Sequence, residues 1–569
     1  MGVDRRLPWW AALGSAALGG FLLDVATPGL AWWPVAFIAV PLVLAALWQQ
    51  RSSFGALLGA VAGAAFWLPH ISWLTLYLGP VPWLALGTVM ILWFALFGCC
   101  AALATRFLAR VLRARALRAR WIALTQACTV AGLWVTREQL QSSWPYGGFA
   151  WGRLAQTQAE SPLAQSVSWT GTAGLSGLLV LLCAVPVAVA FAAGAPSWRS
   201  FASPRAIRSG LVPAGGVSLV GLVLLGLVPP APLLGAPDGA DERTLTVAAV
   251  QGNAKAGIFD DRESGDVLRA HLDTTRRMLD ELDERGDSVD VIVWPENSGE
   301  FDLPGHVLNS ARVAQLSSRA DAPIVAGSVL RDRSARSADD GSGSAPEETY
   351  TNSAVVWDAE GDTGVRYDKR RPVPFAEYMP NRPFFHALAP ELVDLVQLEY
   401  QAGELPASVD IDTPAGVVRA GMAICFDIIF DEHARAMQST GAEIIFAPTN
   451  NADFGRTDES AQQLQIARLR AIEMGRGLVN VSTVGTSAIV APDGRDLDRL
   501  TPYTADWMVA DVPLRSGTTP AMLFGVGVAS MWVALGVAPL KLALASGVAR
   551  KFRGGGSTST SRRAGTSGA

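Results

Sequence analysis

The acidic residues of this 569-residue chain are confined almost entirely to one continuous stretch. Of 51 Asp and Glu residues, only Asp4, Asp24, Glu138 and Glu160 precede residue 236, and none follows residue 518. The flanking sequences consist largely of long apolar runs, which are typical of membrane-spanning helices. This division excludes a uniformly soluble enzyme, a disordered chain and a fibrous repeat. It predicts a multi-pass α-helical membrane protein with one large aqueous insert.

Eight apolar segments are long enough to cross a bilayer, which needs about 20 helical residues. Seven precede the insert and one follows it: 7–24, 27–49, 54–79, 81–105, 121–137, 172–194, 210–235 and 520–545. The fifth is the weakest, because it is short and contains polar residues. The first could be misread as a cleaved signal peptide, but we expect a retained span because further spans follow at once.

The basic residues in the loops predict the orientation, because Lys and Arg are retained on the cytoplasmic side. They precede span one and follow spans two, four, six and eight: Arg5, Arg6, Arg51, Arg106, Arg110, Arg113, Arg115, Arg118, Arg120, Arg199, Arg205, Arg208, Arg550, Lys551, Arg553, Arg562 and Arg563. With eight spans all of these residues lie on one side. We therefore expect cytoplasmic N- and C-termini and an insert on the outer side.

Four parts follow from this division: a membrane domain with spans one to seven at 1–235, the insert at 236–518, span eight at 519–549 and a tail at 550–569. The tail consists mainly of Gly, Ser, Thr and Arg, so it is predicted to be disordered. Residues 332–348 have a similar composition and are predicted to form a loose loop within the insert.

The insert alternates short β-branched runs with helical patterns. Strands are predicted at 245–250, 289–294, 323–329, 353–357, 417–424, 443–448, 478–483 and 486–490, and helices at 265–285 and 460–475. Most of the strands are almost continuously apolar, as expected for strands covered on both faces. The alternation predicts an α/β sandwich, in which chemistry usually occurs at strand ends.

Cys425 is the only one of five cysteines that lies in the insert, which excludes a disulfide framework and paired-cysteine metal spacing there. Such a cysteine is either buried and inert or a nucleophile. The sequence also contains no phosphate-binding loop, dinucleotide fingerprint or histidine metal spacing, so no metal or cofactor is predicted. The arginine-rich loop 106–120 is interpreted as a topology signal near anionic lipid, and no nucleic-acid partner is expected.

Two chemically capable residues follow predicted strands, and a third is a rare lysine. Glu296 comes after a strand that ends in Trp-Pro, Cys425 comes directly after another, and Lys369 is one of four lysines in a chain with 42 arginines. A carboxylate can accept a thiol proton, and a lysine can stabilise a thiolate and an oxyanion. Taken singly, each residue also has an ordinary explanation: an exposed acid, mutational drift and an inert thiol.

In this order and with these flanks, the three residues resemble the Glu-Lys-Cys triad of the nitrilase superfamily, over roughly 243–513. Residues 450–455 and the helix 465–476 are similar to that group as well. The resemblance implies an αββα sandwich. With eight spans added, the whole chain resembles the apolipoprotein N-acyltransferase family of bacterial membrane enzymes. That resemblance implies a location in the bacterial plasma (inner) membrane, with the catalytic domain on its outer side.

Further residues are assigned through this resemblance. Trp151 matches a functional Phe-x-Trp of the family and is assigned to substrate binding, although it could also be an interfacial tryptophan. Glu377 matches the family's second glutamate. The chain departs from the family pattern at Phe426, usually Tyr, at Asp427, usually Glu and assigned here to substrate binding, and at Asp453, often Trp.

The resemblance implies acyl transfer in two steps. Cys425 attacks an ester of a membrane phospholipid, Glu296 takes the thiol proton, and Lys369 with the Phe426 amide holds the oxyanion. The α-amino group of a lipoprotein's diacylglyceryl-cysteine then attacks the thioester. We also interpret the aromatic segment 381–388, with Phe384 and Phe385, as a membrane-facing lid that binds lipid; ordinary core packing is the alternative.

Two other functions remain open at this point. A membrane-tethered nitrilase-type amidase or hydrolase would share the triad but use water in the second step, and eight spans exceed the single anchor it would need. A non-catalytic membrane scaffold for a glycosyltransferase is disfavoured by the intact triad, although Asp427 and Asp453 keep it possible.

Overall fold

The computed structural model describes residues 6–115, 117–192, 212–236, 243–257, 261, 263–332 and 349–554. Several features predicted above lie outside the described residues. These are Arg5, the basic loop with Arg199, Arg205 and Arg208, nearly all of the loop 332–348, and the tail from residue 555 onward with Arg562 and Arg563.

Apolar helices occur at each segment predicted to span the membrane. They are α1 (Trp9–Val25), α2 (Ala36–Leu47), α3 (Ser52–His70), α4 (Leu74–Leu78), α5 (Pro80–Ala114), α6 (Ala119–Gln141), α7 (Val167–Ala192) and α8 (Val212–Gly226) before the insert, with α15 (Pro520–Gly554) after it.

Within the described residues, four helices are both long and apolar enough to cross a membrane: Ser52–His70, Pro80–Arg113, Pro162–Ala192 and Pro520–Ala545. Three others, Trp9–Val25, Trp33–Leu47 and Pro213–Gly226, are apolar but shorter. The helix α6 is long enough but carries Arg137 and Glu138 near its C-terminal end. The helices are those of a membrane protein, and the count of eight spans stays a prediction.

The last helix returns to pack against the middle of the membrane domain. A Cβ atom on Gly132 of α6 would lie 2.3 Å from the Trp532 carbonyl oxygen and 2.4 Å from the Gly536 nitrogen of α15. Only glycine permits such a close approach of two helix backbones, a device common in membrane helices. The two ends of the insert are therefore anchored in one helix bundle.

The described part of the insert contains two six-stranded sheets. Their strands are β1 (Thr244–Gln251), β2 (Val291–Val293), β3 (Ile324–Asp332), β4 (Thr349–Trp357), β5 (Asp362–Asp368), β6 (Ser408–Thr413), β7 (Gly416–Met422), β8 (Ile444–Thr449), β9 (Gly477–Ser482), β10 (Ala488–Val490), β11 (Asp496–Arg499) and β12 (Asp506–Pro513). The orders are β12-β1-β2-β3-β4-β5 and β11-β10-β9-β8-β7-β6. In each sheet the three central strands are parallel and the outer pairs antiparallel.

Helices cover the outer face of each sheet. The described part of the insert contains the helices α9 (Asp266–Arg285), α10 (Val307–Ala320), α11 (Arg382–Leu388), α12 (Pro390–Val393), α13 (Asp431–Ser439) and α14 (Glu459–Met474). The inner faces meet in one core that joins Val247 and Val293 to Phe446 and Val481. The helices α9 and α10 cover the first sheet, whereas α13 and α14 lie between the second sheet and the membrane helices. The predicted nitrilase-like αββα sandwich is confirmed.

All eight predicted strands are present, and the four that were not predicted are the four sheet edges β5, β6, β11 and β12. The central strands β1, β2, β8 and β9 are almost entirely buried, whereas β5 and β11 are mostly exposed or half-buried. Charged and polar residues are the usual protection of a sheet edge against pairing with another chain. They also interrupt the apolar pattern from which a strand is predicted.

A buried ionic network joins the sandwich to the membrane domain. Arg153, from the loop after α6, donates to both carboxylate oxygens of Asp431 at 2.8 Å, and Arg470 of α14 bonds to the same carboxylate. Gly171 leaves the helical conformation (φ 72°), and the next backbone N–H, of Thr172, donates to Glu473 at 3.2 Å. Although burial alone would raise the pKa of Asp431, the two arginines lower it, so the carboxylate stays ionised.

Replacing this carboxylate should loosen the two domains. We expect Asp431→Ala to lower stability by about 3–5 kcal/mol, because two buried guanidinium groups lose their shared partner. The matched control is Asp410→Ala, which removes a half-exposed ion pair with Arg419 and should cost about 0–1 kcal/mol. Thermal unfolding of the detergent-solubilised protein measures both. Equal losses in the two variants would contradict the role given to Asp431.

Candidate active site

The three predicted catalytic residues follow strands of both sheets. Glu296 lies three residues after β2 and Cys425 three residues after β7, while Lys369 directly follows β5. The strand β5 runs in the direction of β2, because β4 reverses the chain between β3 and β5. The first sheet therefore supplies the two charged groups at the carboxyl ends of its strands, and the second sheet supplies the thiol.

Lys369 is held between two carboxylates. Its Nζ lies 2.9 Å from Glu296 Oε1 and 3.0 Å from Glu377 Oε1. Asn352 Nδ2 donates to the same two carboxylates at 2.7 and 2.9 Å, and the Val373 N–H donates to Glu377 at 2.7 Å. Glu296 is 4% exposed and Lys369 is 2% exposed, so water screens this cluster little.

The cluster sets the protonation of its members. Burial raises the pKa of Glu296, and the negative charge of Glu377 raises it further, while Lys369 opposes both effects. Burial alone would lower the pKa of Lys369, but the two carboxylates raise it well above its ordinary value. Lys369 is therefore a permanent cation, and Glu296 is a stronger base than an exposed glutamate.

Cys425 begins the 3-10 turn Cys425–Ile429. Its φ of 49° lies in the left-handed region, which is unusual for a residue with a Cβ atom and is common at strained functional turns. Burial raises the pKa of the thiol to about 12, with a further contribution from the Glu296 charge. The resting sulfur is therefore protonated, and a base must take its proton when it attacks.

Asp427 ties this turn to the end of β5. Its Oδ2 accepts hydrogen bonds from the Tyr367 hydroxyl at 2.7 Å and the Ile424 N–H at 3.2 Å, while Oδ1 accepts from the Arg371 N–H at 2.8 Å. The residue is fully buried. This geometry favours a positioning role over the substrate contact predicted from the sequence. An aspartate reaches these partners, so the departure from Glu leaves the turn intact.

Trp151 is buried rather than lipid-facing. It is 2% exposed, and its Nε1 donates to Gln462 Oε1 of α14 at 2.7 Å. Its ring stacks on the Phe149 ring, with the ring centroids 5.6 Å apart. The Phe149 centroid lies 6.4 Å from that of Phe426, the residue next to the nucleophile. An interfacial belt position does not fit this burial. Trp151 instead connects the membrane domain to the helix and the turn that support Cys425.

The predicted lid is the short helix α11. Phe384 is 60% exposed. Phe385 packs edge-on against Phe375, with the ring centroids 4.9 Å apart, and its centroid lies 6.1 Å from that of Tyr146 in the membrane domain. The two phenylalanines therefore differ: Phe385 anchors the segment and Phe384 points outward. Its role as a lid stays a prediction.

Several amide side chains of the site were not predicted from the sequence. Asn352 holds both carboxylates, and Gln463 Nε2 of α14 donates to Cys425 Sγ at 3.4 Å. Asn451 bonds to Gln463 and to Glu459 at 2.9 and 2.8 Å. The segments 450–455 and 465–476 were noted for their similarity to the nitrilase superfamily. The hydrogen-bond partner of an amide side chain inside a helix, however, cannot be predicted from the neighbouring sequence. No cluster of metal-ligating side chains occurs among the described residues.

Comparison with known proteins identifies the family. The family model of the apolipoprotein N-acyltransferase N-terminal domain matches residues 19–185, and that of carbon-nitrogen hydrolase matches residues 246–519. The apolipoprotein N-acyltransferase of Mycolicibacterium smegmatis is 31% identical over 95% of this chain and 86% of that protein. The chain belongs to the apolipoprotein N-acyltransferase family. The resemblance stated from the sequence is confirmed.

Other apolipoprotein N-acyltransferases agree with this assignment. The protein of Vibrio cholerae is 26% identical over 92% of this chain and 95% of its own length.

Among solved structures, an amidase from Nesterenkonia is 18% identical and covers 49% of this chain and 93% of its own, with a TM-score of 0.32. A carbon-nitrogen hydrolase from Helicobacter pylori is 17% identical, with coverages of 51% and 93% and a TM-score of 0.33.

Proposed function

We propose that this member of the apolipoprotein N-acyltransferase family transfers a fatty acyl chain from a membrane phospholipid to the α-amino group of a lipoprotein's diacylglyceryl-cysteine. One observation carries the proposal: the charged pair Glu296–Lys369 and the thiol of Cys425 interact electrostatically at the strand ends, in a chain of which 95% aligns with a member of the family. A protonated thiol beside a buried carboxylate and a buried cation is the arrangement that general-base attack on an ester needs.

In the first half-reaction, the Cys425 sulfur attacks the ester carbonyl while its proton passes to Glu296. The carbonyl electrons move to the oxygen, where Lys369 and the Phe426 N–H stabilise the negative charge. That N–H is at the start of a 3-10 turn, where backbone donors have no partner within the turn. When the C–O bond breaks, Glu296 returns the proton to the lysophospholipid oxygen, and the acyl chain remains on sulfur as a thioester.

In the second half-reaction, the free α-amino group of the acceptor attacks the thioester carbonyl. Glu296 takes a proton from the nitrogen, the C–S bond breaks, and that proton returns to the departing sulfur. The products are an amide and the resting thiol. Atoms and charges balance without a metal or cofactor, and Glu377 keeps Lys369 in place throughout by its own ionic contact.

We propose the predicted topology for this reaction: eight spans in the bacterial plasma (inner) membrane, both termini in the cytoplasm and the sandwich on the outer side. The division into 1–235, 236–518, 519–549 and 550–569 is part of this proposal. The basic loops support it, and so does the packing of α14 against the membrane helices. Removing an acyl chain into water costs about 0.8 kcal/mol per CH₂, so a sulfur close to the bilayer lets both substrates keep their chains in an apolar phase.

Cys425→Ala should abolish acyl transfer, because no other group can hold the acyl chain. The measurement is the mass of a lipoprotein's N-terminal peptide from membranes that contain the wild type or the variant. One additional amide-linked acyl chain with the wild type only is the expected result. Free fatty acid without amide formation would instead indicate a hydrolase, and identical peptides from both membranes would indicate a non-catalytic scaffold.

Activity should fall as the pH drops through the raised pKa of Glu296, since a protonated Glu296 cannot accept the thiol proton. Glu377→Gln removes the like charge that raises this pKa, so it should move the acid limb of the kcat/KM profile to lower pH even while the rate falls. Glu281→Gln, on the exposed face of α9, is the control and should leave the limb in place. An acid limb of Glu377→Gln at unchanged or higher pH would refute the assignment of Glu296 as the base.

A lid contact with lipid should be visible in Phe384→Asp. We expect the variant to raise KM for phospholipid by about tenfold or more, because a charge on the lid face must be desolvated in hydrocarbon. The control is Leu308→Asp, which alters an apolar side chain of α10, outside α11, that is 78% exposed. A Phe384→Asp enzyme with wild-type KM and full rate would show that α11 is ordinary packing.

A further inference from the structure

We propose that Gln463 is a further catalytic residue, whose side-chain N–H donates a hydrogen bond to the Cys425 sulfur and stabilises the negative charge that develops there. The amide Nε2 lies 3.4 Å from Sγ, and Gln463 is 2% exposed. The inference rests on the proposed function for its role in acyl transfer, but the contact with sulfur is independent of the substrate.

The direction of this hydrogen bond follows from a chain of contacts that begins at the backbone. The Gly485 N–H can only donate, and it donates to the Ser482 hydroxyl at 3.0 Å. That hydroxyl keeps its own proton, which it donates to Asn451 Oδ1 at 2.7 Å. The Asn451 amide is thereby oriented, with its NH₂ group turned away from Ser482.

Asn451 passes this orientation to Gln463. Its Nδ2 donates to the Glu459 carboxylate at 2.8 Å and to Gln463 Oε1 at 2.9 Å. If the Gln463 amide were reversed, two NH₂ groups would face each other in a buried position, and both would lose their acceptor. The Gln463 oxygen therefore faces Asn451, and its NH₂ group faces the sulfur.

Thr449 supports the same arrangement. Its hydroxyl lies 2.8 Å from Gln463 Oε1 and is also within reach of the Cys425 thiol. A hydroxyl has one proton, so Thr449 serves one of these acceptors at a time. In either case Asn451 still holds the Gln463 oxygen, so the donor to sulfur stays in place.

Such a donor acts where the sulfur is most negative. The sulfur carries developing charge as its proton leaves during attack, and again when the C–S bond breaks in the second half-reaction. In the thioester it is neutral, so the hydrogen bond gains strength in both transition states rather than in the intermediate. That difference is what makes a contact catalytic.

The test compares Gln463→Met and Gln463→Glu with a matched variant of the same helix, Gln465→Met. Gln465 is also a buried amide, but it bonds to Glu160 of the membrane domain. Two rates are measured on the full-length, detergent-solubilised protein. One is alkylation of Cys425 by iodoacetamide between pH 8 and 12, a range that reaches the raised pKa of the thiol, followed by peptide mass spectrometry. The other is single-turnover acylation of Cys425 by phosphatidylethanolamine and phosphatidylglycerol in mixed micelles.

We expect Gln463→Met to slow both reactions by about tenfold to a hundredfold, the usual effect of losing a hydrogen bond to a charged group, and to move the alkylation profile to higher pH. Gln463→Glu, which has the same shape, should slow both further because it adds a negative charge. Gln465→Met should stay within about twofold of the wild type. A merely structural role would not shift the alkylation profile.

An unchanged profile in either folded Gln463 variant would overturn the inference. Gln463→Glu keeps the test decisive if the Met side chain prevents folding. If the profile shifts as expected but the wild type forms no acyl-enzyme with either phospholipid, the contact with sulfur stands and the proposed function fails. The two hypotheses are thereby separated.

Discussion

One buried ammonium group holds this site together. Lys369 has almost no contact with water, and such a charge is tolerated in a protein interior only when paired and hydrogen-bonded. Two carboxylates, from the end of β2 and from the loop after β5, supply the pairing. Since two negative groups share one positive group, the cluster carries an excess of negative charge. Burial, together with that excess, raises the pKa of Glu296 and makes it a better base, and both effects keep the nearby thiol protonated until a substrate arrives.

The helix α14 couples this cluster to the membrane domain. Gln462 accepts hydrogen bonds from the indole N–H groups of Trp73 and Trp151 at 3.2 and 2.7 Å, while its neighbour Gln463 donates to the nucleophile. Successive residues of a helix point about 100° apart, so one helix can face two partners. The position of the sulfur relative to the apolar helices therefore depends on a rigid element rather than on a flexible linker, which suits chemistry on substrates that stay in the bilayer.

The predictable and unpredictable parts of this structure differ in physical kind. The central strands could be predicted because burial on both faces requires continuous apolar sequence. Glu296 and Cys425 stood out because they follow such strands, whereas Lys369 stood out only as one of four lysines. The edge strands β5, β6, β11 and β12 carry polar residues and were not predicted. Asn352 and Gln463 were not assigned because an amide acquires its role only from partners that are distant in sequence. Length and composition identified the apolar segments in the sequence. By the same criteria, the helices α1, α2 and α8 are too short to be counted as spans, and α6 is too polar.

The charged groups alone do not decide between an acyltransferase and a hydrolase, because a Glu-Lys-Cys set can activate either an amine or water against a thioester. The surroundings of the sulfur must supply the difference. Phe426 follows the nucleophile directly and packs against Phe430 at 5.1 Å and Phe149 at 6.4 Å, so one wall of the site is aromatic and belongs to both domains. Such a wall accommodates an acyl chain and offers water few hydrogen bonds. We propose that selectivity for the amine follows from this apolar wall, because an acceptor that arrives through the lipid phase would meet a thioester that water approaches poorly.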